Sequence, residues 1–216
     1  MKKRVTSALV VVTLAILGTA VWTFTARAAY ESAEYEVVES DGAFEVRDYP
    51  DLMLAATDSQ PQAKGRDGSF MRLFGYISGA NQAEQKIEMT TPVFMQGGDE
   101  EASGSMGFVL PKEVAAEGAP EPTGEKVKLR KRPGGRFAVV RFSGRLDATS
   151  ARQQEAKLRE WMKSQGLQAA GEVETAGYDP PFTPPPLRRN EILIRLQPVD
   201  EAPPGEESQN QTAAEQ

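Results

Sequence analysis

The order of predicted elements constrains the fold most: strands, one helix and more strands, and then the same order again. In the first half, "YEVVESDGAFEVRDYPDLMLAATD" predicts three strands, with Asp41 and Gly42 as a hairpin turn between the first two. Apolar residues at helical spacing in "SFMRLFGYISG" predict a helix that ends near Gly79. The extended runs "KIEMTTPVFM" and "MGFVLPKEV" then predict further strands.

The second half repeats this order with a different sequence. "KVKLRKRPGGRFAVVRFSG" predicts two strands, and "DATSARQQEAKLREWMKSQG" predicts a helix with Thr149 or Ser150 as its N-cap and Gly166 as its end. The runs "LQAAGEVETAGY" and "NEILIRL" predict the last two strands. We therefore expect one α+β domain with two similar halves, related by element order rather than by sequence identity.

Residues 1–28 form a segment that we exclude from the domain. Lys2, Lys3 and Arg4 precede an uncharged run over residues 5–25, and Ala26, Arg27 and Ala28 follow it. This layout is typical of a secretory signal peptide, but about 20 apolar residues also suffice for a membrane anchor. In both cases the basic end stays inside. We expect an exported protein, either periplasmic or tethered to the inner membrane through residues 5–25 and facing the periplasm.

Residues 198–216 form a second segment outside the predicted domain. They contain no aromatic residue and are rich in Pro, Glu and Gln. Such a composition buries too little apolar surface to offset the entropy of ordering, so we predict a disordered acidic tail. The remaining residues, 30–197, have the length of a single domain.

The charge balance excludes one class of ligand. The chain has 25 basic and 31 acidic residues, and removing residues 1–28 leaves 21 basic residues against 31 acidic ones, a charge of −10. An acidic domain repels the phosphate backbone, so we expect no binding of nucleic acid. Nothing in the composition identifies a protein partner.

The chain contains neither cysteine nor histidine, which removes several chemistries. Ser-His-Asp and Cys-His catalysis are excluded, as are the usual zinc sites and any His or Cys ligand to a haem iron. An enzyme would need acid–base groups such as Asp48, Asp179, Glu191 or a tyrosine. No paired-carboxylate spacing indicates such a site, so we predict no catalytic residues, no metal ligands and no enzymatic activity.

Five prolines lie within "AGYDPPFTPPPLRRNEILIRL". On composition alone the stretch is a linker, a polyproline segment for docking a partner, or a rigid loop within the domain. The apolar run that follows predicts a strand that the domain needs, which favours the rigid loop.

Several motifs in order along the chain resemble the SOUL haem-binding family. They are "FEVRDYP", "LFGYISGAN", "KIEMTTPV", "MGFVLP", "PEPTGEKVKL", "AGYDPPF" and "RRNEI". The resemblance covers most of residues 30–197. It implies a distorted eight-stranded antiparallel β-barrel with two flanking helices and pseudo-two-fold duplicated halves, which agrees with the element order.

The resemblance also implies non-enzymatic binding of haem, b-type or another tetrapyrrole, as a ligand and not as a catalytic cofactor. Its partners would be haem or a porphyrin, and its role that of a carrier, buffer or scavenger. The alternative is an interaction or small-ligand-binding module that keeps the fold but does not bind haem. Because the chain has no histidine, haem iron would receive no His ligand.

In members of this family the porphyrin lies in a shallow apolar groove beside the first helix. The matching positions here are Phe70, Leu73 and Phe74 on the helix, and Asp179, Pro180, Pro181 and Phe182 in the loop. Arg66 and Arg72 are candidates for pairing with the propionates. Met89 and Tyr178 are possible but less favoured iron ligands, and Arg188 to Glu191 are expected to be structural.

Overall fold

The computed structural model describes residues 30–59, 68–97 and 104–198. The predicted signal or anchor segment (1–28) and the predicted tail beyond Pro198 lie outside these ranges. Within the described ranges, no helix combines the length and apolarity needed to span a bilayer.

The described residues form strands and helices in the predicted alternation. The strands are β1 (Glu31–Ser32), β2 (Glu36–Asp41), β3 (Phe44–Tyr49), β4 (Leu52–Ser59), β5 (Thr90–Thr91), β6 (Val93–Gln96), β7 (Gly104–Val109), β8 (Lys128–Arg132), β9 (Gly135–Phe142), β10 (Ala169–Gly177) and β11 (Asn190–Leu196). The α-helices are α1 (Ser69–Ile77), α2 (Lys112–Glu117) and α3 (Ala148–Ser164).

Nine strands form one antiparallel sheet in the order β2-β3-β9-β11-β10-β6-β7-β4-β8, and β1 pairs with β5 in a parallel two-stranded sheet. The sheet curves strongly. This curvature is evident from the guanidinium of Arg132 on β8, which lies 5.2 Å from the ring centroid of Tyr49 on β3. Among the described residues no ladder joins β2 to β8, so these two strands are its edges.

The strand order confirms the predicted duplication. The order β3, β4, α1, β6, β7 corresponds to β8, β9, α3, β10, β11, and the pseudo-two-fold axis passes between β6 and β10. The first strand of each half pairs with a strand of the other half: β3 pairs with β9, and β8 pairs with β4. The predicted eight strands are present and β2 extends the sheet by a ninth, but no ladder among the described residues closes them into the predicted barrel.

Three apolar clusters hold the layers together. The first lies inside the curved sheet and includes Tyr49, Leu54, Phe137 and Leu193. The other two lie under the helices: Leu73, Tyr76 and Ile77 of α1 pack against one outer face, and Leu158, Trp161 and Met162 of α3 pack against the other. Both faces of the sheet are thus buried over much of its area.

Two local predictions are corrected by the structure. The strand predicted over "MGFVLPKEV" ends at Val109, because Pro111 has no N–H to continue the ladder and instead precedes α2. The helix α3 begins one residue after Asp147, whose carboxylate accepts a hydrogen bond from the Ser150 backbone N–H. Ser150 completes a capping box and is not itself the N-cap residue.

The proline stretch connects neighbouring strands β10 and β11, as the rigid-loop interpretation expects. A 3₁₀ turn spans Pro185–Leu187. The Arg188 guanidinium donates to the carbonyl oxygens of Thr183 and Pro181. Gly144 donates its backbone N–H to Pro185. These bonds fix the loop to its own base and to the start of α3, so it is not a linker.

Candidate functional site

A groove follows from the positions of the two longer helices. The helix α1 packs on the outer face of β4 and β7, and α3 packs on the outer face of β9 and β11. The central pair, β6 and β10, therefore lies between the helices. Its outward residues, opposite each other in register, are only partly buried: Val93, Met95, Thr175 and Gly177. They form the floor of what we call the interhelical groove.

Two phenylalanines of α1 form an aromatic wall of this groove. The rings of Phe70 and Phe74 stack with centroids 6.2 Å apart and an interplanar angle of 12°. Phe70 is anchored by an edge-to-face contact with Phe108 of β7, whose register partner on β6 is Val93. Phe74 is 45% exposed. Two nearly parallel aromatic rings thus lie beside the groove floor, and the Phe74 ring remains accessible.

The third predicted helix residue, Leu73, does not belong to this surface. It is fully buried and packs in the cluster between α1 and the sheet. Met71, one residue after Phe70, is instead 64% exposed on the same helix. Met71 was not predicted as a site residue, because a methionine off the apolar stripe of a helix carries no sequence signal for ligand contact.

The predicted loop residues lie at the end of the groove floor. Gly177 is the last residue of β10, and a Cβ atom placed there would lie 4.0 Å from the side chains of both Leu146 and Met95. The loop starts directly after it. Asp179 accepts a hydrogen bond from the Arg189 backbone N–H at 2.6 Å, while Phe182 projects outward and is 67% exposed.

These four loop residues therefore have unequal roles. Asp179 and Pro180 are partly buried, and the Asp179 carboxylate holds the base of the loop. Pro181 and Phe182 are exposed. Register places the loop base and Phe70 at the same level of the sheet, since Gly177 pairs with Val93 and Val93 pairs with Phe108. The two predicted segments are thus brought to one end of the groove.

Arg72 lies on the flank of α1 opposite the two phenylalanines. It is two positions from both Phe70 and Phe74, which places it about 160° around the helix from each ring. Its guanidinium reaches the end of β4, where it donates to the Thr57 Oγ1 at 3.0 Å and to the Asp58 carbonyl oxygen at 2.7 Å. Arg72 fastens α1 to the sheet. Arg66 lies outside the described residues.

A buried charged network adjoins the base of the loop. Glu191 on β11 is fully buried and accepts two hydrogen bonds from Arg47 on β3, at 2.9 and 3.1 Å, and two from Arg189, at 2.9 and 2.7 Å. The Tyr178 hydroxyl also donates to Glu191, at 2.9 Å. Burial alone would raise the pKa of Glu191, but the hydrogen bonds and charges of Arg47 and Arg189 hold it below its usual value.

This network assigns Tyr178 and Glu191 to structure. Burial, together with the Glu191 charge, raises the pKa of Tyr178 well above its ordinary value, so the phenol keeps its proton. The Arg189 guanidinium lies 3.9 Å from the centroid of the Tyr178 ring. Met89, the other possible iron ligand, packs against the cluster under α1. Across the described ranges no group of three or more acidic side chains could hold a metal ion.

A separate cavity of about 260 Å³ lies at the C-terminal end of α3. Its lining includes Arg159, Met162, Lys163 and Leu167. This volume is below the range of about 300–1,000 Å³ that is usual for sites of drug-sized ligands.

The fold is thus a duplicated α+β domain with an aromatic pair beside its central strands. The family model described as SOUL heme-binding protein matches residues 30–195. The chain therefore belongs to the SOUL haem-binding family, as its motifs predict.

Relatives of known sequence agree with this assignment. Heme-binding protein 1 of Xenopus tropicalis is 28% identical over 162 residues, which cover 71% of this chain and 84% of that protein. Heme-binding protein 2 of Mus musculus is 26% identical over 158 residues, which cover 69% of this chain and 77% of that protein.

Two solved structures share the fold. One is a hydrolase from Listeria innocua, with a TM-score of 0.56, 13% identity, and coverage of 74% of this chain and 94% of that one. The other is the EcmrR C-terminal domain, with a TM-score of 0.50, 13% identity, and coverage of 76% and 98%. At such identities the likeness concerns architecture alone, and these structures transfer no activity.

Proposed function

We propose that this protein binds haem or a related tetrapyrrole in the interhelical groove and performs no chemistry on it. The observation that carries the proposal is the stacked pair Phe70 and Phe74 beside the apolar floor of β6 and β10. A planar macrocycle can lie against such a surface, where its affinity comes from buried apolar area and aromatic contact. The names of the relatives and of the family support the same ligand class.

The groove provides few side chains that could bind the iron. The chain has no histidine or cysteine, and the phenol of Tyr178 is buried, protonated and bound to Glu191. Bound haem would supply an iron that this protein does not use for catalysis. The arrangement suits a carrier, buffer or scavenger, working outside the cytoplasm if residues 1–28 direct export as their layout predicts.

Haemin and iron-free protoporphyrin are expected to bind with dissociation constants within about tenfold of each other, or about 1.4 kcal/mol. The reason is that ring contact, not an iron–ligand bond, supplies the affinity. The measurement is a paired titration of the purified protein that follows the Soret band. A thousandfold preference for haemin would refute the absence of an axial ligand. No saturable binding of either compound would favour the alternative, a module that keeps the fold and binds another partner.

Changing Arg72 to glutamine is expected to alter porphyrin affinity by less than about twofold, because residues two positions apart project from nearly opposite sides of a helix. The same change should lower the free energy of unfolding by about 1 kcal/mol, through loss of the bonds to Thr57 and Asp58. Urea unfolding and the porphyrin titration measure the two effects separately. A tenfold loss of affinity at unchanged stability would restore Arg72 as a propionate partner.

A further inference from the structure

The two edges of the large sheet carry opposite charge. On β2 all six residues are exposed, and three of them are acidic: Glu36, Glu39 and Asp41. On β8 the sequence is KLRKR, with Lys128, Arg130 and Lys131 exposed. β2 pairs only with β3, and β8 pairs only with β4, among the described strands. Each edge therefore presents unpaired backbone groups framed by charges of a single sign.

A bulge in β2 brings its acidic side chains to one face. The register with β3 shifts between Val37 and Glu39, so that Glu36 lies opposite Asp48 and Glu39 opposite Val46. Asp41 lies opposite Phe44. Residues directly opposite each other share a face, so all three acids lie on the outer face, where Val46 and Phe44 pack under α3. Simple alternation would have placed Glu36 and Glu39 on opposite faces.

Basic residues of β8 also share one face of the sheet, which in this case is the inner face. Lys128 lies opposite Ala56, and Arg130 opposite Leu54 of β4. Leu54 belongs to the cluster inside the curved sheet, so Lys128 and Arg130 share that inner face. Arg132 of the same face is already bound to Glu174, at 2.9 and 2.6 Å. Arg130 donates a hydrogen bond to the neutral Gln96 side chain at 3.2 Å, so the charges of Lys128 and Arg130 are not neutralised by this contact and can attract an acidic strand.

Orientation decides how these faces meet. Every neighbouring pair between β2 and β8 is antiparallel, and the eight steps leave the two edge strands running in the same direction. When β8 of a second copy is laid antiparallel to β2, that copy is turned over about the axis perpendicular to the strands. Its inner face then continues the outer face of the first copy. This orientation sets Lys128 and Arg130 beside Glu36 and Glu39.

We propose that copies of this chain associate through their sheet edges, with β2 of one copy pairing antiparallel to β8 of the next. Pairing of β2 with another β2 would oppose acids to acids, and pairing of β8 with another β8 would oppose cations to cations. Charge on edge strands commonly prevents such contacts. Here the charge prevents pairing between like edges and favours pairing between unlike edges. The resulting contact is head-to-tail. It does not depend on the proposed haem function.

The test is sedimentation of the full chain over a range of concentrations, at low salt and at 0.5 M salt, a concentration at which exposed charges are screened over roughly 4 Å. Wild type is expected to self-associate at low salt and to dissociate at high salt. Glu36→Lys with Glu39→Lys, and Lys128→Glu with Arg130→Glu, should each weaken association by about tenfold or more, because opposite pairs become like pairs. An equimolar mixture of these two double variants should associate again, because each then offers an edge complementary to the other.

Matched controls change the net charge equally at exposed sites away from both edges. They are Glu88→Lys with Glu117→Lys, and Lys157→Glu with Lys163→Glu, and both should associate as wild type does. If a reversal variant does not fold by circular dichroism, Glu36→Gln with Glu39→Gln takes its place and should show a smaller loss. A wild-type monomer at all concentrations in low salt, or a mixture that stays monomeric, would overturn the proposal.

Discussion

Replacing Glu191 with alanine is expected to lower the free energy of unfolding by about 3–5 kcal/mol. Glu191 is fully buried and neutralises two arginines, Arg47 and Arg189, with four hydrogen bonds. Its removal leaves the buried Arg47 guanidinium with Glu45, at 2.6 Å, as its remaining acidic partner, and leaves the Tyr178 hydroxyl without its acceptor. The measurement is urea unfolding followed by circular dichroism. The chain offers a control on the neighbouring strand: Glu172→Ala, at an exposed site of β10, should change stability by less than about 0.5 kcal/mol.

Lowering the pH should remove the stabilisation that Glu191 provides. The pKa of Glu191 in the folded protein lies below the ordinary value of about 4.3 that the unfolded chain has. The stabilisation is therefore complete above that ordinary value and is lost as the pH falls through the lower folded pKa. The stability difference between wild type and Glu191→Gln should be constant near neutral pH and shrink below about pH 4. A difference that grows in acid, or a Glu191→Ala protein as stable as Glu172→Ala, would contradict the network's role.

Replacing Phe74 with alanine is expected to weaken protoporphyrin binding by about tenfold or more, since aromatic contact adds to the loss of buried apolar area. The change should leave stability almost intact, because Phe74 is 45% exposed and lies outside the buried clusters. Soret titration of the variant against wild type measures the first effect, and urea unfolding measures the second.

Two further variants make this result specific to the groove. Tyr30→Ala removes an aromatic ring of similar exposure, 40%, from a different part of the chain and should leave porphyrin affinity unchanged. Phe182→Ala tests the loop at the end of the groove and should weaken binding less than Phe74→Ala does, because the Phe182 ring is 67% exposed. Equal losses in Phe74→Ala and Tyr30→Ala would show that the ligand binds elsewhere.

Local patterns were sufficient for most elements of this fold, although they predicted a strand where α2 begins. The stripe of α1 and its end at Gly79, and the turn at Gly42, appear where the sequence predicts them, and both glycines have positive φ, 117° and 60°. The duplicated order of strands and helices predicted the class of the fold. These features depend on residues close together in the chain, where spacing and turn chemistry are informative.

The site was less accessible to such reasoning because it is assembled by pairing between distant strands. The groove floor exists because β6 pairs with β10, about 80 positions later, and no local pattern specifies that ladder. Arg47 lies in a strand of alternating pattern, which predicts an exposed cation, yet it is fully buried. Its partner, Glu191, is 144 residues away, so no local pattern could reveal the pair. The flank of α1 on which Arg72 lies could not be predicted for a related reason, because it depends on which strands the helix covers.

The exchange of first strands between the halves suggests how such a chain can arise from two half-length copies. A half-length chain carrying one strand pair, one helix and two more strands would reproduce the order β3-β9-β11-β10-β6-β7-β4-β8 as a two-fold symmetric homodimer. Joining two such copies in tandem turns an intermolecular interface into the centre of a monomer. One half could then keep an aromatic wall at Phe70 and Phe74 while the other half, through α3, diverged freely. A fused chain permits an asymmetric groove, because its two halves can change independently.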